Sequence, residues 1–261
     1  MGLAGALRHR AGTLVDRRFA QRRWTLSKRH IAGSGLEIGA LHKPLRVPDD
    51  VRVRYVDRYD EAGLRSHYPE LDELPLVEVD VVDDGETLAT IPDASVDFVI
   101  ANHFIEHTQN PLQTLSNHLR VLRAGGVLYL AVPDKRRTFD ADRALTPLEH
   151  VLHDFEQGPA GSRDEHFRDW VVHVDKPQDV EARVAELSDA DYSIHFHVWT
   201  PRAFSELLEH ARGELGMPFT IAEVLRNGIE FIVILRRVAD DATAVEAEAT
   251  APGRAAADAR A

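Results

Sequence analysis

Between residues 34 and 133, short apolar stretches alternate with polar, helix-forming ones, and this alternation constrains the fold more than any other feature. VDFVIA (96–101) and GVLYLAVP (126–133) are apolar at almost every position, which a strand tolerates only when both of its faces are buried. SGLEIGA (34–40), VRVRYVD (51–57) and VEVDVV (77–82) read as three earlier strands. NPLQTLSNHLRVL (110–122) reads as an amphipathic helix with Leu112, Leu115, Leu119 and Leu122 at helical spacing, ended by Gly125-Gly126. Strand–helix alternation predicts βαβ units and a mostly parallel sheet, with ligands beyond the carboxyl ends of its strands.

The rest of the chain is organised around that segment. Residues 1–30 hold eight Lys/Arg and one acid, Asp16, within a net charge of −12 for the whole chain. Residues 1–33 are expected to form a basic helical segment. It would pack beside the core, or make weak contact with a membrane surface or an acidic partner. The acidic body argues against a nucleic-acid surface. From 134 to 197 the strand pattern lapses. TPLEHVLHDF (146–155) and KPQDVEARVAELSDADYS (176–193) read as helices flanking a polar bend, an insert that covers a site. TPRAFSELLEHARGEL (200–215) is a helix with Thr200 as N-cap and Pro201 in its first turn. FTIAEVLRNGIEFIVILRRV (219–238) reads as two strands around Asn227-Gly228. The core domain is thus expected over 34–238, and 239–261, rich in Ala and acids, as a disordered tail. With no cysteine and no run of 18 apolar residues, a cytoplasmic placement is expected.

Candidate site residues follow the strands. Gly39 ends the first, where a ligand can approach the backbone closely. Asp57 ends the second, placed to accept both hydroxyls of a ribose. Asp84-Gly85 follows the third, and Asn102-His103-Phe104-Ile105-Glu106-His107 the fourth.

Taken in order, LEIG (36–39), the VD at 56–57, DGETL (84–88), SVDFV (95–99), EH (106–107) and RVLRAGG (120–126) resemble the class I S-adenosylmethionine-dependent methyltransferases, specifically the methyltransferase type 11-like small-molecule group. The resemblance implies an α/β, Rossmann-like fold: a seven-stranded, mostly parallel sheet with a reversed last strand, here with a helical insert over the site. It implies S-adenosyl-L-methionine as cofactor, held by Glu37, Gly39, Asp57, Asp84, Gly85, Asn102 and His103. One departure stands out, because the family's first loop is G-x-G-x-G and this chain has Leu41 and Lys43 at the later glycine positions.

Methyl transfer is a direct displacement, and an alcohol acceptor also needs a base. Nine of the fourteen histidines lie between 103 and 197. The expected catalytic set is His195 or His197 as base, His103 as a positioning residue and Asp134 as a substitute base. Asp134, Asp140, Asp142, His150, His195 and His197 have metal-binding chemistry but no firm metal spacing, so no metal is expected. Lys135, Arg136 and Arg137 offer cations to an acidic substrate. The expected activity is methylation of a small polar acceptor, foremost a hydroxyl of a sugar or related carbohydrate. The alternatives are nitrogen or carboxylate methylation, or a cofactor-binding scaffold without turnover.

Overall fold

The computed structural model describes residues 18–239, so residues 1–17 and all of the expected tail beyond 239 lie outside it. A seven-stranded sheet runs in the order β3-β2-β1-β4-β5-β7-β6. Its strands are β1 (Ser34–Ile38), β2 (Arg52–Asp57), β3 (Val81–Val82), β4 (Val96–Asn102), β5 (Leu122–Pro133), β6 (Phe219–Asn227) and β7 (Glu230–Arg237). The first five are mutually parallel, and β7 runs antiparallel to both β5 and β6. The reversed strand expected over 227–238 is therefore present, joined to β6 by a tight turn at Gly228-Ile229. The strand order reverses between β1 and β4, the switch point at which such sheets bind ligands.

The apolar runs of β4 and β5 are explained by two cores. Val99 and Ala101 face a cluster with Leu112, Leu115, Leu119, Trp199, Phe204 and Leu208. Phe98, Ile100, Tyr129 and Ala131 face the opposite cluster, which includes Leu26 and Ile31. Helix α1, covering 18–30, closes that second face. The first face is covered by α3 (Pro111–Val121), α4 (Leu148–Gln157) and α7 (Pro201–Gly213), while α2 (Glu61–His67) follows β2. Thr200 caps α7 as expected, its hydroxyl accepting the Ala203 N–H. Among the described residues no helix is long and apolar enough to cross a membrane.

Several boundaries depart from the sequence expectations. Only Val81 and Val82 of 77–82 pair as a strand, because Asp80 Oδ2 instead accepts the Tyr55 N–H from outside the ladder. Helix α3 stops at Val121 rather than at the glycine pair, and Gly125-Gly126 lies inside an irregular start to β5. The bend between the two insert helices is itself helical: α5 (Arg163–Trp170) stands between α4 and α6 (Val180–Asp189). Its sequence RDEHFRDW buries only Phe167, so it shows no apolar stripe. Phe167, Val171, Leu187, Ile194 and Phe196 give the insert its own small core.

Gly85 sits where two elements nearly touch. A Cβ there would lie 2.6 Å from Ile38 Cγ2 and 2.7 Å from Phe104 Cζ. Gly85→Ala should therefore lower stability by about 1–3 kcal/mol, read as a drop in Tm. An unchanged melt would show that Phe104 swings away freely.

Candidate active site

Two cavities open at the carboxyl ends of the strands. The first, of about 680 Å³, is lined by Gly39, Asp57, Asp84, Gly85, Phe104 and Phe196 among others. Asp83, Glu86 and Asp191 add to its acidity, and its one arginine, Arg58, is paired with Asp191 at 2.8 Å. The second, of about 640 Å³, lies under α1 and the β6–β7 turn. Its walls include Arg23, Glu37, Asn102, Asn227 and Glu230. Gly39, Leu41, His103 and His107 line both, so the two spaces meet there.

The backbone at that junction is strained. Gly39 is left-handed at φ 62°, and Leu41 follows at φ 51°. Leu41 thus holds the conformation that a glycine usually supplies, at a cost of roughly 1–2 kcal/mol. The loop is fixed by Glu37, whose two carboxylate oxygens accept the Leu45 N–H at 2.8 and 3.1 Å. His103, also left-handed at φ 50°, closes the other side. Strain of this kind persists only where surrounding contacts enforce it, and it concentrates at functional sites.

The electrostatics are those of a site short of hydrogen-bond donors. Burial pushes Glu37 up to about 7 and Asp57 up to about 6, against which the Leu45 and Arg58 amides pull only partly. Glu106 is wholly buried, both of its oxygens lack a hydrogen bond, and desolvation raises its pKa. Glu230 is the opposite case. Arg23 donates to both of its oxygens at 2.8 and 2.5 Å, His103 Nε2 donates at 2.7 Å, and Asn227 at 2.6 Å. These partners overcome its burial and hold it down at about 2. His103 is raised in return by Glu230 and Glu106, against desolvation. His107 donates from Nδ1 to the Ile194 carbonyl and is kept neutral by burial, with a pKa of about 3.

Glu37, Gly39, Asp57, Asp84, Gly85, Asn102 and His103 all line one or both cavities. His195, His197 and Asp134 do not. In the extended 194–199 segment, Phe196 faces the first cavity, so side-chain alternation turns its two neighbours away. His195 Nδ1 donates to Asp140 at 2.8 Å, and His197 Nδ1 donates to the Thr108 carbonyl at 3.0 Å. Asp134 is buried and held by Arg136 at 2.6 and 2.8 Å, which keeps its carboxyl below the usual range. Lys135 turns inward to the Ala141 carbonyl, so the cations after β5 do not form an acidic-substrate clamp on either cavity. Glu106 and His107 belong to the stretch after β4 already named as a candidate, whereas Glu230 is not among the expected site residues. Glu230 carries no sequence signal beyond its hairpin position.

Because folding raises the Glu37 pKa from an ordinary 4.5 to about 7, the folded state binds that proton more tightly. Its contribution is fully present below pH 4.5 and is lost as pH rises through 7. Glu37→Gln should remove this dependence. The Tm of the variant relative to wild type should climb from pH 4.5 to about 7 and level off above that. A constant difference would show that Glu37 ionises normally.

Residues 32–130 match the family described as a methyltransferase domain. A Mycolicibacterium smegmatis protein described as a probable S-adenosylmethionine-dependent methyltransferase is 39% identical over 100 residues, 34% of this chain. The match covers 32% of that relative, so the chain spans about a third of its length. Among solved structures, a SAM-dependent methyltransferase from Aquifex aeolicus matches 84% of this chain and 89% of its own at 14% identity and a TM-score of 0.45. One from Methanosarcina mazei matches 78% and 92% at 16% identity and a TM-score of 0.42. The family match falls on the segment that builds β1 to β4 and most of β5, and the sheet order with its reversed β7 is the one that the motifs implied: residues 32–130 are similar to the methyltransferase domains of the class I, S-adenosylmethionine-dependent type.

Proposed function

We propose that the protein methylates a hydroxyl of a small polar acceptor, of the sugar type, with S-adenosylmethionine bound in the acidic cavity and the acceptor in the second. The observation that carries this reading is the meeting of two cavities at Gly39, Leu41, His103 and His107. A cavity of about 680 Å³ at the switch point, walled by carboxylates, suits a cationic ligand with two ribose hydroxyls. The cofactor supplies, when bound, an electrophilic methyl group on a positively charged sulfur. Asp57, at the end of β2, accepts the ribose hydroxyls, and Asp84 and Glu86 supply further acceptors on the same wall. Phe104 and Phe196 exclude water from it.

His103 takes the role of base in this reading, in place of His195 and His197. Its Nε2 donates to Glu230, so Nδ1 carries the lone pair. With the cofactor supplying the methyl group when bound, His103 Nδ1 would take the hydroxyl proton of the acceptor as its oxygen becomes methylated. Glu230 then stabilises the imidazolium.

Two measurements test this. Asp57→Ala should weaken S-adenosylmethionine binding by about 2–3 kcal/mol, the scale of lost charge-assisted hydrogen bonds. An unchanged Kd by calorimetry removes Asp57 from the site. For the base, the rate should rise with pH through a His103 pKa above 6.5. Glu230→Gln removes the carboxylate that raises it, so this limb should move to lower pH. His103→Gln should abolish the limb and slow turnover by about 10²–10⁴-fold. Profiles identical to wild type would point to an acceptor that needs no base, such as a carboxylate.

A further inference from the structure

The insert holds a second constellation, away from both cavities. His150 and Asp154 lie one turn apart on α4, His166 lies on α5, and His197 on the segment that closes the insert. One ligand atom from each falls within 4.8 Å of all the others. His150 Nε2 is 2.9 Å from His166 Nε2 and 3.2 Å from Asp154 Oδ2, and His166 Nε2 is 3.9 Å from that same oxygen. Donors bound at 2.0–2.1 Å around a tetrahedral ion stand roughly 3.4 Å apart. The spacing is that of a first coordination shell.

Hydrogen bonding within the cluster does not satisfy it. The proton between His150 and His166 serves only those two nitrogens. Asp154 Oδ2 and His197 Nε2 are buried without a hydrogen-bond partner, and both residues are 0% exposed. Orphaned buried acceptors of this kind are costly. The remaining atoms of these two side chains are fixed from outside. Since a carbonyl can only accept, His197 Nδ1 carries the proton that it gives to Thr108. Nε2 is therefore a bare lone pair aimed inward. Ser162 Oγ donates to Asp154 Oδ1 at 2.7 Å and leaves Oδ2 for the centre. This is the supporting shell that orients metal ligands. The His150 side chain is 25% exposed, which gives an ion access from solvent.

We propose that His150, Asp154, His166 and His197 bind one divalent transition metal ion, zinc by preference, in tetrahedral coordination. All four positions are filled by protein, so the ion is structural. It ties α4 and α5 to the 194–199 segment, and through His197 and Thr108 to the loop after β4 that carries His103 and His107.

The test uses the full chain, stripped with a chelator and titrated with Co²⁺ as the visible probe. One equivalent should give the intense visible absorption bands of tetrahedral cobalt, the geometry expected for such a site. Zn²⁺ should then displace it, and should raise the Tm of the stripped protein by several degrees. His166→Gln should lose the cobalt bands. So should Asp154→Asn, which preserves shape. Wild-type protein without a stoichiometric cobalt spectrum, or without a Zn²⁺-dependent Tm, overturns the proposal. Bands that persist in both variants would place the metal elsewhere and overturn it equally. Neither readout depends on methyl transfer, so the proposal stands or falls apart from the function proposed above.

Discussion

The carboxylate of Glu230 joins three parts of the chain that lie far apart in sequence. Arg23 reaches it from α1, His103 from the loop after β4, and Asn227 from the facing strand. A carboxylate this buried is unfavourable alone, and it stays ionised because one guanidinium and one imidazole face it. The same pairing decides the state of the imidazole, since His103 donates from Nε2 and so leaves the lone pair on Nδ1, which lies 3.6 Å from Glu106 Oε1. Arg22 and Arg29 of the same helix are engaged as well, with the Arg226 carbonyl and Glu223. At least part of the basic charge near the N-terminus therefore holds α1 against the β6–β7 hairpin.

The remaining acids of the site are organised differently. Glu37 and Glu106 are buried and Asp57 half-buried with too few donors, and their pKa values rise accordingly. Buried acceptors without donors are a state from which a ligand rich in donors gains more than it would at a solvated surface. Leu41 belongs to the same arrangement. The loop keeps the left-handed turn of a glycine-rich phosphate-free cofactor loop without its second glycine, because Glu37 clamps the Leu45 amide beyond it.

Elements with strong periodicity were legible from sequence. The apolar runs of β4 and β5 announced burial on both faces, and Asn227-Gly228 announced the hairpin. The site was legible where it rests on strand ends, because backbone topology alone brings Gly39, Asp57, Asp84 and Asn102 to one edge. What failed depends on side-chain direction. His195 and His197 share one side of an extended segment, but Phe196 takes the cavity side and turns them inward. Helix α5 was missed because its charges hide a single buried Phe167. The four-residue cluster of the insert could not be assembled from sequence because its members are separated by up to 47 positions and meet only through the packing of α4, α5 and the 194–199 segment.

The place of β7 in the sheet has a consequence for how the chain acquires its structure. It lies between β5 and β6, so the outer edge of β5 gains its neighbour only from residues near the end of the domain. Until then Val127 to Pro133 present an unpaired apolar edge, the kind of template on which other chains nucleate. Synthesis proceeds from the N-terminus, and α1 and Glu230 are separated by about the whole domain, with Arg23 and Glu230 207 residues apart. Neither the sheet nor the second cavity can close until the β6–β7 hairpin has been made, and chains cut short within the hairpin are the ones most exposed to aggregation.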